Sequence, residues 1–220
     1  MSNRLALFDC DGTLIDGQAA ICVSMEEAFR MSGRPAPERP AIRRIVGLSL
    51  FEALRVLAPG SSEAEQLVLV DHYKQAFRGL RSDGLLEEPL FDGIPALLAA
   101  LDKAGWLLGV ATGKSDRGLH SALEAHGLRH LFVTLQTADR HPSKPHPGMA
   151  EAAMAEAGAT PETTVMIGDT SYDIGMARNA GTSAIGVAWG YHGADELRQA
   201  GAHQIAARPQ DILSILEDMA

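Results

Sequence analysis

Short unbroken apolar runs alternate along most of this chain with longer segments whose apolar residues recur every three or four positions. The first run, residues 5–8, has the length and composition of a strand buried on both faces. A helix over 18–31 follows, with Ile21, Met25, Ala28 and Phe29 along one side, Asp16 as its cap and Ser32-Gly33 as its stop. Prolines mark 34–40 as a loop. The next stretch predicts helices over 41–45, 50–57 and 62–80, the last with Leu67, Val70, Tyr73, Lys74 and Phe77 at near-helical spacing. No strand pattern occurs between 16 and 81.

From Asp92 the alternation resumes. Asp92 is the expected cap of a helix carrying Leu97, Leu98 and Leu101, and a strand over 106–111 comes next. Ser115 opens a helix with Leu119, Leu123 and His126. A strand over 131–135 precedes a loop over 139–147 stiffened by three prolines. Helix 148–157, strand 164–167, helix 172–180 and strand 184–187 continue the pattern. A short helix near Glu196, an edge strand over 203–206 and a helix from Gln210 finish the chain. Strands regularly separated by helices predict an α/β fold, a Rossmann-like parallel sheet with right-handed crossovers. The helical block over 16–82 interrupts that alternation and reads as an inserted α-helical cap domain. It has hinges near 14–17 and 82–89, leaving 1–15 and 83–220 as the core domain.

At 220 residues the chain is long enough for one large core with a small appended domain. With 46% apolar and 21% charged residues it has the composition of a folded soluble protein. A formal charge of −9 argues against nucleic acid or an anionic membrane as partner, so an anionic substrate requires a local positive site. Two cysteines, Cys10 and Cys22, are too few for a disulfide scaffold and fit a reducing, cytoplasmic setting. The N-terminus lacks the apolar length of a signal peptide, and no segment approaches a membrane span.

The candidate chemistry sits where apolar runs stop. Asp9 and Asp11 follow the first strand, one residue apart, and are succeeded by Gly12 and Thr13. In an open parallel sheet that end of the strand faces the ligand crevice. Two carboxylates sent to the same side repel, and a bound cation, a shared proton or both would offset them. A hard divalent ion such as Mg2+, which completes its shell with water and phosphate oxygens, suits this pair. The competing reading is an Asp-Gly turn whose acids only bond backbone amides. Thr112 directly follows another apolar run, and with the amides of Gly113 and Lys114 near a helix start it can make an oxyanion site; the competing reading is a plain Thr-Gly helix entry capped by Ser115. Lys144, in Ser-Lys-Pro-His-Pro, is an ammonium on a rigid loop. Asp169 ends the run Val165-Met166-Ile167-Gly168 as Asp9 ends the first, so both belong to one sheet edge. Asp173, four residues on, is placed either to cap the next helix or to serve that edge.

Asp-x-Asp-Gly-Thr-Leu after a strand, Thr112 after a second, Lys144-Pro145 before a helix and Gly168-Asp169 after a later strand resemble, in order, the four motifs of the haloacid dehalogenase (HAD) superfamily. The resemblance implies that Asp9 is the nucleophile and Asp11 the general acid and base. It gives Mg2+ to Asp9, the backbone carbonyl of Asp11 and Asp169, phosphate oxygens to Thr112, Gly113 and Lys144, and to Asp173 the bracing of Lys144 or a metal-bound water. Asp11 separates the chain from the haloacid dehalogenases proper, which lack this second acid and need no metal. Gly113-Lys114 differs from the Asn that many relatives place after the Thr. The helical insert resembles the cap of the subgroup holding phosphoglycolate phosphatases, phosphonatases and β-phosphoglucomutases. Within it, Gly47-Leu48-Ser49 resembles the cap loop of sugar-phosphate mutases, except that Leu50 stands where they carry arginine. Arg43 and Arg44 are the cap cations expected to meet a second anionic group. Gly186 to Tyr191 resembles phosphoglycolate phosphatase relatives. The implied function is Mg2+-dependent hydrolysis of a small phosphorylated metabolite, phosphoglycolate phosphatase-like. A phosphomutase and a phospho-acceptor signalling module are the alternatives.

Overall fold

The computed structural model describes residues 2–219. Among them six strands make one wholly parallel sheet: β1 (Asn3–Phe8), β2 (Leu107–Thr112), β3 (Phe132–Thr137), β4 (Ala159–Gly168), β5 (Ser183–Val187) and β6 (Gln204–Ala206). Their order across the sheet is β3-β2-β1-β4-β5-β6, so the first strand lies in the middle and the chain winds outward in both directions.

Alternation along β1 divides the core. Ala6 and Phe8 point into one apolar layer, with Ile94, Leu98, Leu123 and Leu216, while Leu5 and Leu7 enter the opposite layer with Met149, Met154, Met166 and Ile174. Leu5, Ala6, Leu7 and Phe8 are all fully buried, which is why the run reads as continuously apolar.

Between β1 and β2 the chain forms α1 (Gln18–Met31), α2 (Arg39–Arg44), α3 (Leu50–Leu57) and α4 (Glu63–Ser82). These helices have an apolar cluster of their own, including Met25, Phe29, Ile42, Leu54 and Leu69. The chain leaves and re-enters the sheet layer through two adjacent segments. Ile15 and Leu90 form an antiparallel bridge, Asp16 N–H donates to Pro89 O at 2.8 Å, and Phe91 N–H donates to Leu14 O at 3.1 Å. Ser62 caps α4 in a reciprocal arrangement with Glu65, which locks the start of the longest helix.

Helices α5 (Ile94–Lys103), α6 (Asp116–Ala125), α7 (Gly148–Ala157), α8 (Ser171–Asn179), α9 (Ala194–Ala200) and α10 (Asp211–Asp218) complete the fold. Three local expectations are corrected. Asp16 is not the N-cap of α1: Gly17 occupies that position, although Asp16 Oδ1 accepts from Gln18 N–H at 3.2 Å. Asp92 does not cap α5, because Gly93 holds the cap position at φ 89°, a left-handed conformation natural to glycine. Strand β4 begins at Ala159 instead of residue 164; its polar first half pairs beside Asn3, which the apolar pattern alone does not reveal. No helix among the described residues is long and apolar enough to cross a membrane.

Candidate active site

Register brings the site together. Phe8 pairs with Val110 on β2 and with Ile167 on β4, and Asp9 N–H donates to Ile167 O at 2.9 Å. Asp9, Thr112 and Asp169 therefore leave the sheet at one edge, the C-terminal edge of parallel strands. Asp9, Thr112, Lys144, Asp169 and Asp173 are all buried.

Carboxylate oxygens of Asp9, Asp169 and Asp173 lie within 4.8 Å of one another. Their donors differ. Asp173 is saturated: Lys144 Nζ donates to its Oδ1 at 2.6 Å, and Thr170 N–H and Oγ1 donate to its Oδ2 at 3.0 and 2.7 Å. It thus caps α8 and braces Lys144 at once. Asp169 accepts from Thr13 Oγ1 at 2.8 Å and from Tyr191 N–H at 2.9 Å. Lys144 Nζ lies 2.9 Å from Asp9 Oδ1, yet among the described residues neither Asp9 oxygen has an aligned hydrogen-bond donor. Three buried acids face one ammonium, and one of those acids has unused acceptors. That donor set fits a hard divalent cation between Asp9 and Asp169, which prefers carboxylate oxygens and readily keeps open positions.

Burial pushes the Asp9 carboxyl up to about 7, with Asp173 adding to the rise and Lys144 opposing it. Asp169 is raised well above the carboxylate range, first by burial and then by the charges of Asp173 and Asp9. For Lys144, burial works against the charged form, but Asp173 and Asp9 outweigh it and raise its pKa. The ammonium is therefore held charged beside these buried acids.

Close packing leaves no room for side chains at two turns. A Cβ on Gly12, which has φ 85°, would strike the Asp169 carboxylate and the Tyr191 ring, and a Cβ on Gly113 would strike the Leu48 carbonyl oxygen. The second contact joins the two halves of the molecule: Gly47, Leu48 and Ser49 of the helical insert lie over the loop after β2. Ser49 N–H donates to Ser143 Oγ at 2.8 Å, beside Lys144, and Tyr172 Oη donates to Arg44 O at 3.1 Å. Beneath this roof is a cavity of about 540 Å³, walled by Asp9, Asp11, Thr112, Gly113, Gly47 and Ser49 and by apolar residues of α1, α3 and α4.

Both expected cap cations are elsewhere. Arg44 turns outward and pairs with Glu196 at 2.9 Å, and Arg43 lies beside Cys22 within the helical layer, off the cavity wall. The cations that do line the cavity are Lys74, Arg78 and Arg81 of α4, with Arg117 and Lys114 from the core. Continuing the spacing of Tyr73, Lys74 and Phe77 along α4 reaches Arg78 and Arg81, so a signal for them existed. Lys114 Nζ is 3.0 Å from Asp11 Oδ1 and donates to Glu88 Oε1 at 2.7 Å, while Lys114 N–H donates to Thr112 Oγ1 at 3.2 Å. Glu88 had no signal, being one acid in a linker. Thr13 stood in the first motif but had no partner until Asp169 was beside it.

A parallel sheet that gathers acids, an ammonium and a hydroxyl at one edge, beneath an inserted helical layer, defines a phosphoryl-transfer hydrolase of the α/β class. The chain belongs to the haloacid dehalogenase-like hydrolases, whose family model matches residues 6–187, and within them it is a phosphatase. It is 38% identical over 220 residues to the probable phosphatase IndB of Dickeya dadantii, covering 98% of this chain and 91% of that one. It is 32% identical over 225 residues to the N-acetylmuramic acid 6-phosphate phosphatase of Pseudomonas aeruginosa, covering 99% and 96%. A crystal structure of a hydrolase from Pseudomonas syringae superposes with a TM-score of 0.86 at 26% identity, covering 100% of both chains.

Proposed function

We propose that the protein is a Mg2+-dependent phosphomonoester hydrolase that works through an aspartyl phosphate on Asp9, with a small phosphorylated metabolite of the phosphoglycolate kind as substrate. The observation carrying this reading is Asp9 itself: a buried carboxylate on the cavity wall, beside Lys144, whose oxygens have no aligned donor. A nucleophile has to keep its lone pairs available.

Asp9 attacks phosphorus in line; the bond from phosphorus to the ester oxygen breaks, and Asp11 gives that oxygen its proton. Water then attacks the same phosphorus, Asp11 takes the water's proton, and the bond to Asp9 breaks to release inorganic phosphate. Lys144, the Thr112 hydroxyl and the Gly113 amide stabilise the equatorial oxygens as their charge grows. Asp173 keeps Lys144 in place. Asp9, the Asp11 carbonyl and Asp169 would hold Mg2+, which would neutralise charge on the phosphoryl group and favour ionised Asp9. The insert over 16–82 acts as a cap moving about 14–17 and 82–89, and its Gly47-Leu48-Ser49 loop excludes water when closed.

The test is phosphate release from p-nitrophenyl phosphate and from 2-phosphoglycolate, with Mg2+ and with EDTA. Many turnovers that require Mg2+ are expected. A single stoichiometric phosphorylation with no further release would identify a phospho-acceptor instead, and return of the phosphate to a sugar would identify a mutase.

A further inference from the structure

Helix α4 presents Tyr73, Lys74, Phe77, Arg78 and Arg81 to the cavity, positions that share one helical face. Tyr73 and Phe77 stack at 6.0 Å between centroids. Phe77 stands between two cations: Lys114 Nζ and the Arg81 guanidinium each lie 5.9 Å from its ring centre. Since Lys114 is 3.0 Å from Asp11, the aromatic shelf begins at the reacting end and leads away from it to Arg81.

Charge pairing is incomplete along this wall, as it also is at Arg4, Arg43, Lys103, Arg129 and Arg178 away from it. Elsewhere Arg30, Arg34, Arg39, Arg44, Arg55, Arg140, Arg198 and Arg208 each have a carboxylate partner. Among the described residues Lys74, Arg78, Arg81 and Arg117 have none within 4.0 Å, although the chain carries 28 acids against 19 bases. Besides Asp9 and Asp11, the acid on the cavity wall is Asp139, whose Oδ2 is already taken by Asp116 N–H at 2.9 Å. What distinguishes this wall is convergence: four cations without a carboxylate partner, Lys74, Arg78 and Arg117 exposed and Arg81 half-buried, gather around one cavity beside an aromatic pair, a positive lining that favours an anionic ligand. The volume of about 540 Å³ falls in the range of roughly 300–1,000 Å³ that encloses ligands of drug size. A two-carbon phosphate leaves most of it empty.

We infer that the substrate's leaving group carries a second anionic group, a carboxylate or a phosphate, joined to the scissile phosphate by an apolar or ring-containing body. The body lies on Tyr73 and Phe77, and the distal anion is met by Arg78 and Arg81, with Lys74 and Arg117 at the rim. This inference rests on the phosphomonoesterase reading and narrows it: phosphoglycolate is the smallest member of the class and a poor filler of the space.

The experiment compares benzyl phosphate with 4-carboxybenzyl and 4-phosphonobenzyl phosphates as substrates of the full-length protein with Mg2+. Charge-assisted contact to the distal anion is expected to raise kcat/KM about tenfold over benzyl phosphate, chiefly through KM, and the two anionic arms show which group is preferred. In the Arg78→Gln/Arg81→Gln double variant, with folding checked by circular dichroism, the ratio is expected to fall to within about twofold of one. Arg55→Gln, which alters an ion pair with Glu52 outside the cavity, keeps the wild-type ratio. If the double variant misfolds, Arg81→Gln alone is expected to cut the ratio by at least about threefold. Turnover of all three esters with equal kcat/KM, or a preference that survives in the Arg variants, overturns the second-anion inference alone. Release of phosphate from none of them overturns the hydrolase reading with it.

Discussion

Lys114 Nζ sits 3.0 Å from Asp11 Oδ1 and 2.7 Å from Glu88 Oε1, all three side chains nearly buried. Burial pushes the Asp11 carboxyl up, and the Lys114 charge pulls against that rise. Glu88 belongs to the segment that returns from the helical insert, so one ammonium ties the second acid of the first motif to the connection between the two layers.

If Asp11 delivers the proton to the departing oxygen, disturbing its holder harms most those esters that need the proton most. Lys114→Met is expected to lower kcat/KM about 100-fold for alkyl phosphates and less than about tenfold for p-nitrophenyl phosphate, whose leaving group departs without help. Equal losses on both substrates would mean that Lys114 positions something other than the acid.

Asp9→Asn removes the nucleophile while keeping the shape of the site. Turnover should fall by at least about 10⁴-fold with the fold intact by circular dichroism. A variant retaining near wild-type rate would exclude Asp9 from covalent chemistry.

The same substitution has a signature in stability. A carboxyl held near 7 in the folded chain, against an ordinary 3.8, binds its proton more tightly when folded. Its stabilising contribution is therefore complete below about pH 4 and is lost as pH rises through about 7. In EDTA, the melting temperature of the wild type relative to Asp9→Asn should fall between pH 5 and pH 8, by about 2–4 °C per kcal/mol. Parallel melting curves across that interval would contradict a carboxyl at Asp9 raised by burial.

Mg2+ should reverse that loss. At concentrations near 100 times its dissociation constant it is expected to stabilise the protein by about 2.7 kcal/mol, read as a rise in melting temperature. Asp169→Asn should abolish most of the rise. An unchanged response in that variant would move the cation away from Asp169.

Gly113→Ala places a methyl group against the Leu48 carbonyl and so obstructs the meeting of the cap loop with the loop after β2. A rise of about tenfold in KM, with faster proteolysis of the insert, is expected. Wild-type KM in this variant would show that closure does not depend on this contact.

Much of this molecule was legible along the chain because it is local. Strand or helix is chosen by the period of apolar positions, and an acid that directly follows a buried strand has to emerge at the sheet edge; Asp9, Thr112 and Asp169 were therefore readable from sequence. The helical insert was equally plain, since no period-two run occurs within it and its helices make a separate apolar cluster. Which side chain meets which across the gap was decided only by tertiary structure. Arg44 pairs outward with Glu196 from α9, Lys114 reaches back to both Asp11 and Glu88, and α4, not α2, turns its cations to the cavity. Those partnerships depend on how one packed layer is seated on another. That seating is set by long-range surface complementarity, and no repeat in the local pattern of apolar and polar residues encodes it.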